Sequence, residues 1–441
     1  MEWKKATMIG SACMVGAFVL SGCQDSNEQN QAEGSDQGDL EISMIHYFNP
    51  ELNEPAPMAQ LERMDDFLEQ HPDLTMDIEV QSHDNYETKI TTLAAADELP
   101  DLFLIKGSMT QAFADNGQIM PVEQIYESHP GWSDLFVDGT MTPFEANDTH
   151  YGVPISGGAT HIIYYNEDLF AEAGLSEFPA DWDGFMEAID QLNDAGITPI
   201  ALGNQGRWVA NSSYLSTLAN RFTGTEWFQD ILAENGNASF TDEAFVNALR
   251  TLHEMAENDA FNNDLNSIDN SQQQSMYMNG EAAMFIEGDW AAGGLVNHAP
   301  DEILDATGVA IFPAVTNSDM DQNTVSGGGG WAYAVNANVS GEKLDVLTDM
   351  LYHLTNEDAG KLVLENGQIP AVTISNTEDV DITAMTMQIM ALLEESQYVH
   401  IYDTVLSPSI IDVMNANLQN MFIGEVTPEQ AAENIQNEYG Q

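Results

Sequence analysis

Beyond residue 39 the chain alternates short apolar runs with stretches whose apolar side chains recur every three or four positions. LEISMIHY, starting at Leu40, reads as a buried strand. Met58, Leu61, Met64, Phe67 and Leu68 then fall on one face of a helix over 57–70. Leu74–Val80 is a second strand, 84–96 a helix with Asp84 as its N-cap, and LFLI after Leu99-Pro100-Asp101 a third strand. This β-α-β-α-β order implies a parallel sheet with right-handed crossovers. Strand patterns return at 198–202, 282–286, 309–312 and 331–335, with helices over 182–192, 241–257 and most of the chain after Gly341. The class is α/β.

The most informative stretch is 276–290, MYMNGEAAMFIEGDW. A helix stops at Gly280, a buried strand follows, Gly288 breaks it, and Asp289-Trp290 opens the next helix. A strand ending in a carboxylate and an indole puts both at the carboxyl edge of a sheet, where open α/β sheets bind ligands. The pair suits a sugar, whose C–H face stacks on the ring while its hydroxyls donate to the carboxylate. In isolation, Asp-Trp is a helix N-cap beside a core residue. A second aromatic-plus-polar pair, Arg207 and Trp208 in GNQGRWVA, follows the strand at 198–202. Other strand ends offer His46, Asn49 and Glu51 after the first strand, and Lys106 and Ser108 after the third. Lys106 stands out because lysine is rare in this chain.

Charge narrows the function classes. There are 72 Asp+Glu against 10 Lys+Arg, a net charge of −62 over 441 residues. Nucleic-acid binding, which needs clustered cations, is excluded, and so is docking to anionic lipid through a basic patch. A self-repelling surface of this kind is tolerated where salt screens it, so a halophilic, brine-facing protein is expected. Hydrophobic residues make up 43%, enough for a globular chain of two domains.

Residues 1–22 read as a secretory signal, with Lys4-Lys5 ahead of an apolar run from Ala6 to Leu20. Leu20-Ser21-Gly22-Cys23 resembles the bacterial lipobox, which implies lipidation of Cys23. Residues 24–39 are polar and low in complexity, a flexible tether. Apart from Cys23 the only cysteine is Cys13, so no disulfide or cysteine-based zinc site is expected beyond the tether.

Three blocks in order carry a family resemblance: the lipobox, Tyr151-Gly152-Val153-Pro154 followed by Tyr164-Tyr165-Asn166, and Gly280-Glu281-Ala282-Ala283-Met284 with Gly288-Asp289-Trp290. The chain resembles the family 1 extracellular solute-binding proteins of ABC importers. The resemblance implies a two-lobe periplasmic-binding-protein-like fold of type II, each lobe a mainly parallel sheet flanked by helices, with hinge crossings. The lobes would comprise 40–155 plus 313–370 and 156–312 plus 371–441. Crossings fall at 150–166, where Gly157-Gly158 allow hinge dihedrals, after Pro313, and at 367–372. A sugar, expected to be an oligosaccharide, would be held by Trp290, Trp208 and Trp331, with polar contacts from Asp289, Arg207, Lys106, His46, Asn49, Tyr402 and Asp403. Implied partners are the carbohydrate ligand and the transmembrane permease subunits. The protein would be a monomer outside the cytoplasm, held to the cell membrane only by its lipid anchor.

No GxSxG, HExxH, CxxC or P-loop occurs, and the expectation is a non-enzyme without cofactor or metal. Two rivals stay open: a binding protein for another small solute, and a secreted carbohydrate-active enzyme using two carboxylates.

Overall fold

The computed structural model describes residues 40–440, apart from 51, 53, 138, 158 and 159. The expected signal, Cys23, the expected tether, Glu51 and Gly158 therefore lie outside the described residues. No described helix is long and apolar enough to cross a membrane.

The first lobe starts with β1 (Leu40–His46), α1 (Pro55–Gln70), β2 (Leu74–Val80), α2 (His83–Ala95) and β3 (Leu102–Lys106). β1 pairs in parallel with both β2 and β3. β3 is apolar almost throughout and buried throughout, as a strand covered on both faces must be. β2 lies at the edge and keeps alternate residues in solvent. α1 buries Ala56, Ala59, Met64 and Phe67. Ser82, and not Asp84 as expected, is the N-cap residue of α2, and its side chain makes no capping hydrogen bond. Asp84 sits in the first turn, and its carboxylate accepts a hydrogen bond from Trp208 Nε1 of the second lobe at 3.3 Å.

The chain then contributes β4 (Val153–Pro154), β5 (His161–Asn166), β6 (Thr198–Ala201), β7 (Ala282–Gly288), β8 (Thr307–Ala310), β9 (Thr324–Ser326), β10 (Trp331–Val335) and β11 (Gln397–Val399). The first sheet runs β2-β1-β3-β10-β4, the second β8-β5-β7-β6, and β9 pairs with β11. Each of the two larger sheets has its own hydrophobic core.

Two expectations need correction. The sheets are mixed, not mainly parallel: β10 is antiparallel to β3 and β4, and β5 to β7 and β8. Strands that come back from the other lobe enter from the far end of the sheet, without the crossover helix that keeps neighbours parallel. The return to the first sheet also comes at β10, later than Pro313. Buried Arg221 holds the intervening segment to the second lobe, donating to the carbonyls of Phe312, Pro313 (2.7 Å) and Thr324 (2.9 Å).

At the hinge, the Gly157 N–H donates to Ile369 O at 3.0 Å. A side chain at Gly157 would collide with the Pro370 carbonyl, so the close approach of these two crossing segments requires glycine there.

Candidate functional site

The carboxyl end of β7 builds one wall. The strand continues through Gly288, and the Trp290 ring folds back over that glycine, where any Cβ would overlap the indole. Trp290 stands edge-on to His161 at 5.3 Å and tilted to Trp208 at 6.4 Å between ring centroids. Trp208 follows β6 and opens a helix that widens into a π turn over Ala210–Leu215 before continuing as Ser216–Thr223. Wide turns of this kind recur at functional sites. Within it, the Asn211 side chain donates to Asn415 Oδ1 at 2.9 Å, and Ser216 Oγ, just beyond, receives the Tyr402 N–H at 3.0 Å.

The first lobe supplies the opposite wall. Trp331 opens β10 after the glycines 327–330 and is braced by Tyr47 (4.9 Å), Tyr86 (5.4 Å) and His83 (5.8 Å). The two walls enclose a cavity of about 540 Å³. That is ordinary for a site that swallows most of a small organic ligand.

Lys106 lies at the cavity floor. Its ammonium is 2.5 Å from Glu87 Oε1 and 3.3 Å from Asp403 Oδ2, and 5.3 Å from the centre of the Trp331 ring. Burial alone would lower its pKa, but the two carboxylates win and hold it above the ordinary lysine range. Burial raises the Asp403 carboxyl despite Lys106. Glu54, half-buried at the start of α1, is raised by burial. Beneath the lining, Glu287 is pushed up to about 8 by burial, although the side chains of Asn270 and Gln273 donate to it.

Six of the ten residues expected to contact ligand line this cavity: Trp290, Trp208, Trp331, Lys106, Asn49 and Asp403. The other four are placed elsewhere. Asp289 is fully buried and ties the hinge: Oδ1 accepts from Thr160 N at 3.3 Å and Gln368 Nε2 at 3.4 Å, and Oδ2 from Ile369 N at 3.3 Å. Arg207 has a positive φ of 68° and sends its guanidinium to Asp412 at 2.9 Å, on a half-exposed surface. His46 turns inward, stacks on Phe48 and accepts the Phe48 N–H on Nδ1 at 3.1 Å. Tyr402 is a core ring stacked on Phe228 at 4.1 Å.

The cavity also includes Tyr47, Glu54, His83, Asp84, Asn270 and Gln368, which were not anticipated. His83 and Asp84 were within reach of the strand-edge rule, since they follow the carboxyl end of β2. Gln368 shares Asp289 with the hinge and accepts from Ala56 N at 3.2 Å, joining the start of α1 to the third crossing.

The family model for the bacterial extracellular solute-binding protein matches residues 49–344. A putative binding protein of Brucella abortus is 24% identical over 248 residues, 56% of this chain and 58% of its own length. An uncharacterized ABC transporter extracellular-binding protein of Pyrococcus horikoshii is 24% identical over 293 residues, 64% of each chain. The chain thus spans about three-fifths of the length of these curated relatives. A solved chitin oligosaccharide binding protein superposes with a TM-score of 0.83 at 21% identity, over 91% of this chain and 98% of that one, a likeness of fold.

Proposed function

Since the chain belongs to the bacterial extracellular solute-binding protein family, we propose that it captures a sugar, an oligosaccharide, between its two lobes and delivers it to the permease of an ABC importer. One observation carries this reading: three indoles from both lobes, Trp208, Trp290 and Trp331, wall one cavity that also holds carboxylate and amide groups. Flat apolar faces beside hydrogen-bond acceptors match a saccharide, which has C–H faces and a rim of hydroxyl donors.

Trp208 and Trp290 would stack on the ligand from the second lobe and Trp331 from the first. Asn49, Lys106 and Asp403 would meet its hydroxyls. A ligand that touches both walls favours the closed arrangement by its differential contacts, and closure about the hinge would expose the surface that the permease reads. With it we propose a monomer that binds without turnover, its lobes divided as expected except that the return to the first lobe comes at β10. The lipid anchor at Cys23 and the salt-adapted surface rest on the lipobox-like sequence and on the net charge of −62.

The test is a thermal shift of the protein in molar salt against a panel of mono- and oligosaccharides, with the same mixtures assayed for breakdown. A ligand that binds only the folded state raises the melting temperature. A shift with intact sugar supports capture. Consumption of the sugar would replace capture by hydrolysis. A shift with none of the sugars but with a quaternary ammonium solute would move the assignment to a cationic solute, which aromatic walls also suit.

A further inference from the structure

The charges around the cavity are almost all of one sign. Lys106 is the one lysine or arginine among the described lining residues, against Glu54, Asp84, Asp269 and Asp403. Its positive charge is already used twice, by Glu87 and by Asp403. Asp403 spends only Oδ2 on Lys106; its Oδ1 is buried without a hydrogen-bond partner among the described residues. Two further acidic side chains, Glu287 and Asp289, are fully buried behind the wall that carries Trp290. A hydroxyl brought into this space finds carboxylate acceptors on the lining. An ammonium group finds carboxylates and indole faces. A carboxylate, sulfate or phosphate would give up its water and meet like charges with no free cation to pair with, a combination that interfaces use to exclude wrong partners.

Resting on the sugar-capture reading, we propose that the cavity is a charge filter: it admits neutral and amino-bearing saccharides and rejects acidic ones. Its selectivity lies in the lining carboxylates, Glu54 and Asp403 foremost, and not in the acidic outer surface.

Calorimetric titration at pH 8 tests this. Maltose, cellobiose, xylobiose and N,N′-diacetylchitobiose are each compared with a counterpart in which one sugar is a uronic acid, and chitobiose with free amines is added. For every neutral sugar that binds, the uronate form is expected to bind at least about ten-fold more weakly. The amine form of chitobiose is expected to bind no more weakly than its acetylated form. The gap should be the same in moderate and in molar salt, where surface charge is screened within about 3 Å. Glu54→Gln and Asp403→Asn should each narrow it.

Equal binding of uronates would overturn the filter while leaving sugar capture intact. A gap that closes in molar salt, or that neither variant narrows, would assign the effect to the outer surface and overturn it as well. No binding of any saccharide would remove the sugar-capture reading and this inference with it.

Discussion

Lys106 Nζ, at the carboxyl end of β3 in one lobe, lies 3.3 Å from Asp403 Oδ2 in the other, and both side chains are more than nine-tenths buried. An ion pair in this position joins the lobes across the cavity floor, and neither partner can lose the other cheaply.

Replacing Lys106 by Met leaves Asp403 a buried carboxylate without its cation. The expected cost is about 3–5 kcal/mol, read from denaturant unfolding. Replacing both residues, as Lys106→Met with Asp403→Leu, is expected to recover most of that loss. A double variant as unstable as the sum of the single ones would show that the two charges are not coupled.

Trp208→Ala and Trp290→Ala are expected to weaken sugar binding about ten-fold or more each, with little loss of stability, because both rings face the cavity and are only partly buried. Trp182→Ala should do the reverse, since that ring is 5% exposed in the second core. Gly288→Ala is expected to resemble Trp290→Ala in affinity, because the new methyl group displaces the folded-back indole. Titration of the four variants with whichever sugar shifts the melting temperature separates wall residues from core residues.

Glu287 is expected to make the protein less stable as pH rises. Its pKa in the folded state, about 8, lies above the ordinary 4.5 because burial disfavours the charged form. The unfolded chain therefore gives up this proton first. Stability falls as pH climbs between those two values and is level above the higher one, on the order of 1.4 kcal/mol for each pH unit as an upper bound. Glu287→Gln keeps an acceptor for Asn270 and Gln273 and removes the titration. Unfolding free energies at pH 6 and pH 9 are expected to differ less in the variant than in the parent. An unchanged slope would clear Glu287 of the effect.

With a net charge of −62, the folded state repels itself, and the melting temperature is expected to rise steadily with sodium chloride into the molar range. A flat or falling curve would argue against a salt-adapted surface.

Most of the strands, and six residues of the cavity, were legible in the sequence because apolar runs mark buried strands and ligand-facing residues follow strand ends. Trp208, Trp290 and Lys106 were found in that way. Direction was not legible. Asp289 and Trp290 are adjacent, yet one side chain enters the hinge and the other the cavity, and no periodicity decides which. His46 fails against its neighbour Tyr47 for the same reason. Arg207 is turned away by a positive φ that its residue type does not announce. The antiparallel insertion of β5 and β10 depends on how the crossings run, a property of the whole chain that no local pattern carries.

The wide turn over Ala210–Leu215 has a consequence for how the chain tolerates a change of length. A π turn holds one more residue than an α turn, so a single codon can be lost there, restoring the α register, with little rotation of one side of the helix against the other. The downstream side stays fastened through Ser216 to Tyr402. The upstream side carries Trp208, which keeps its place in the cavity wall.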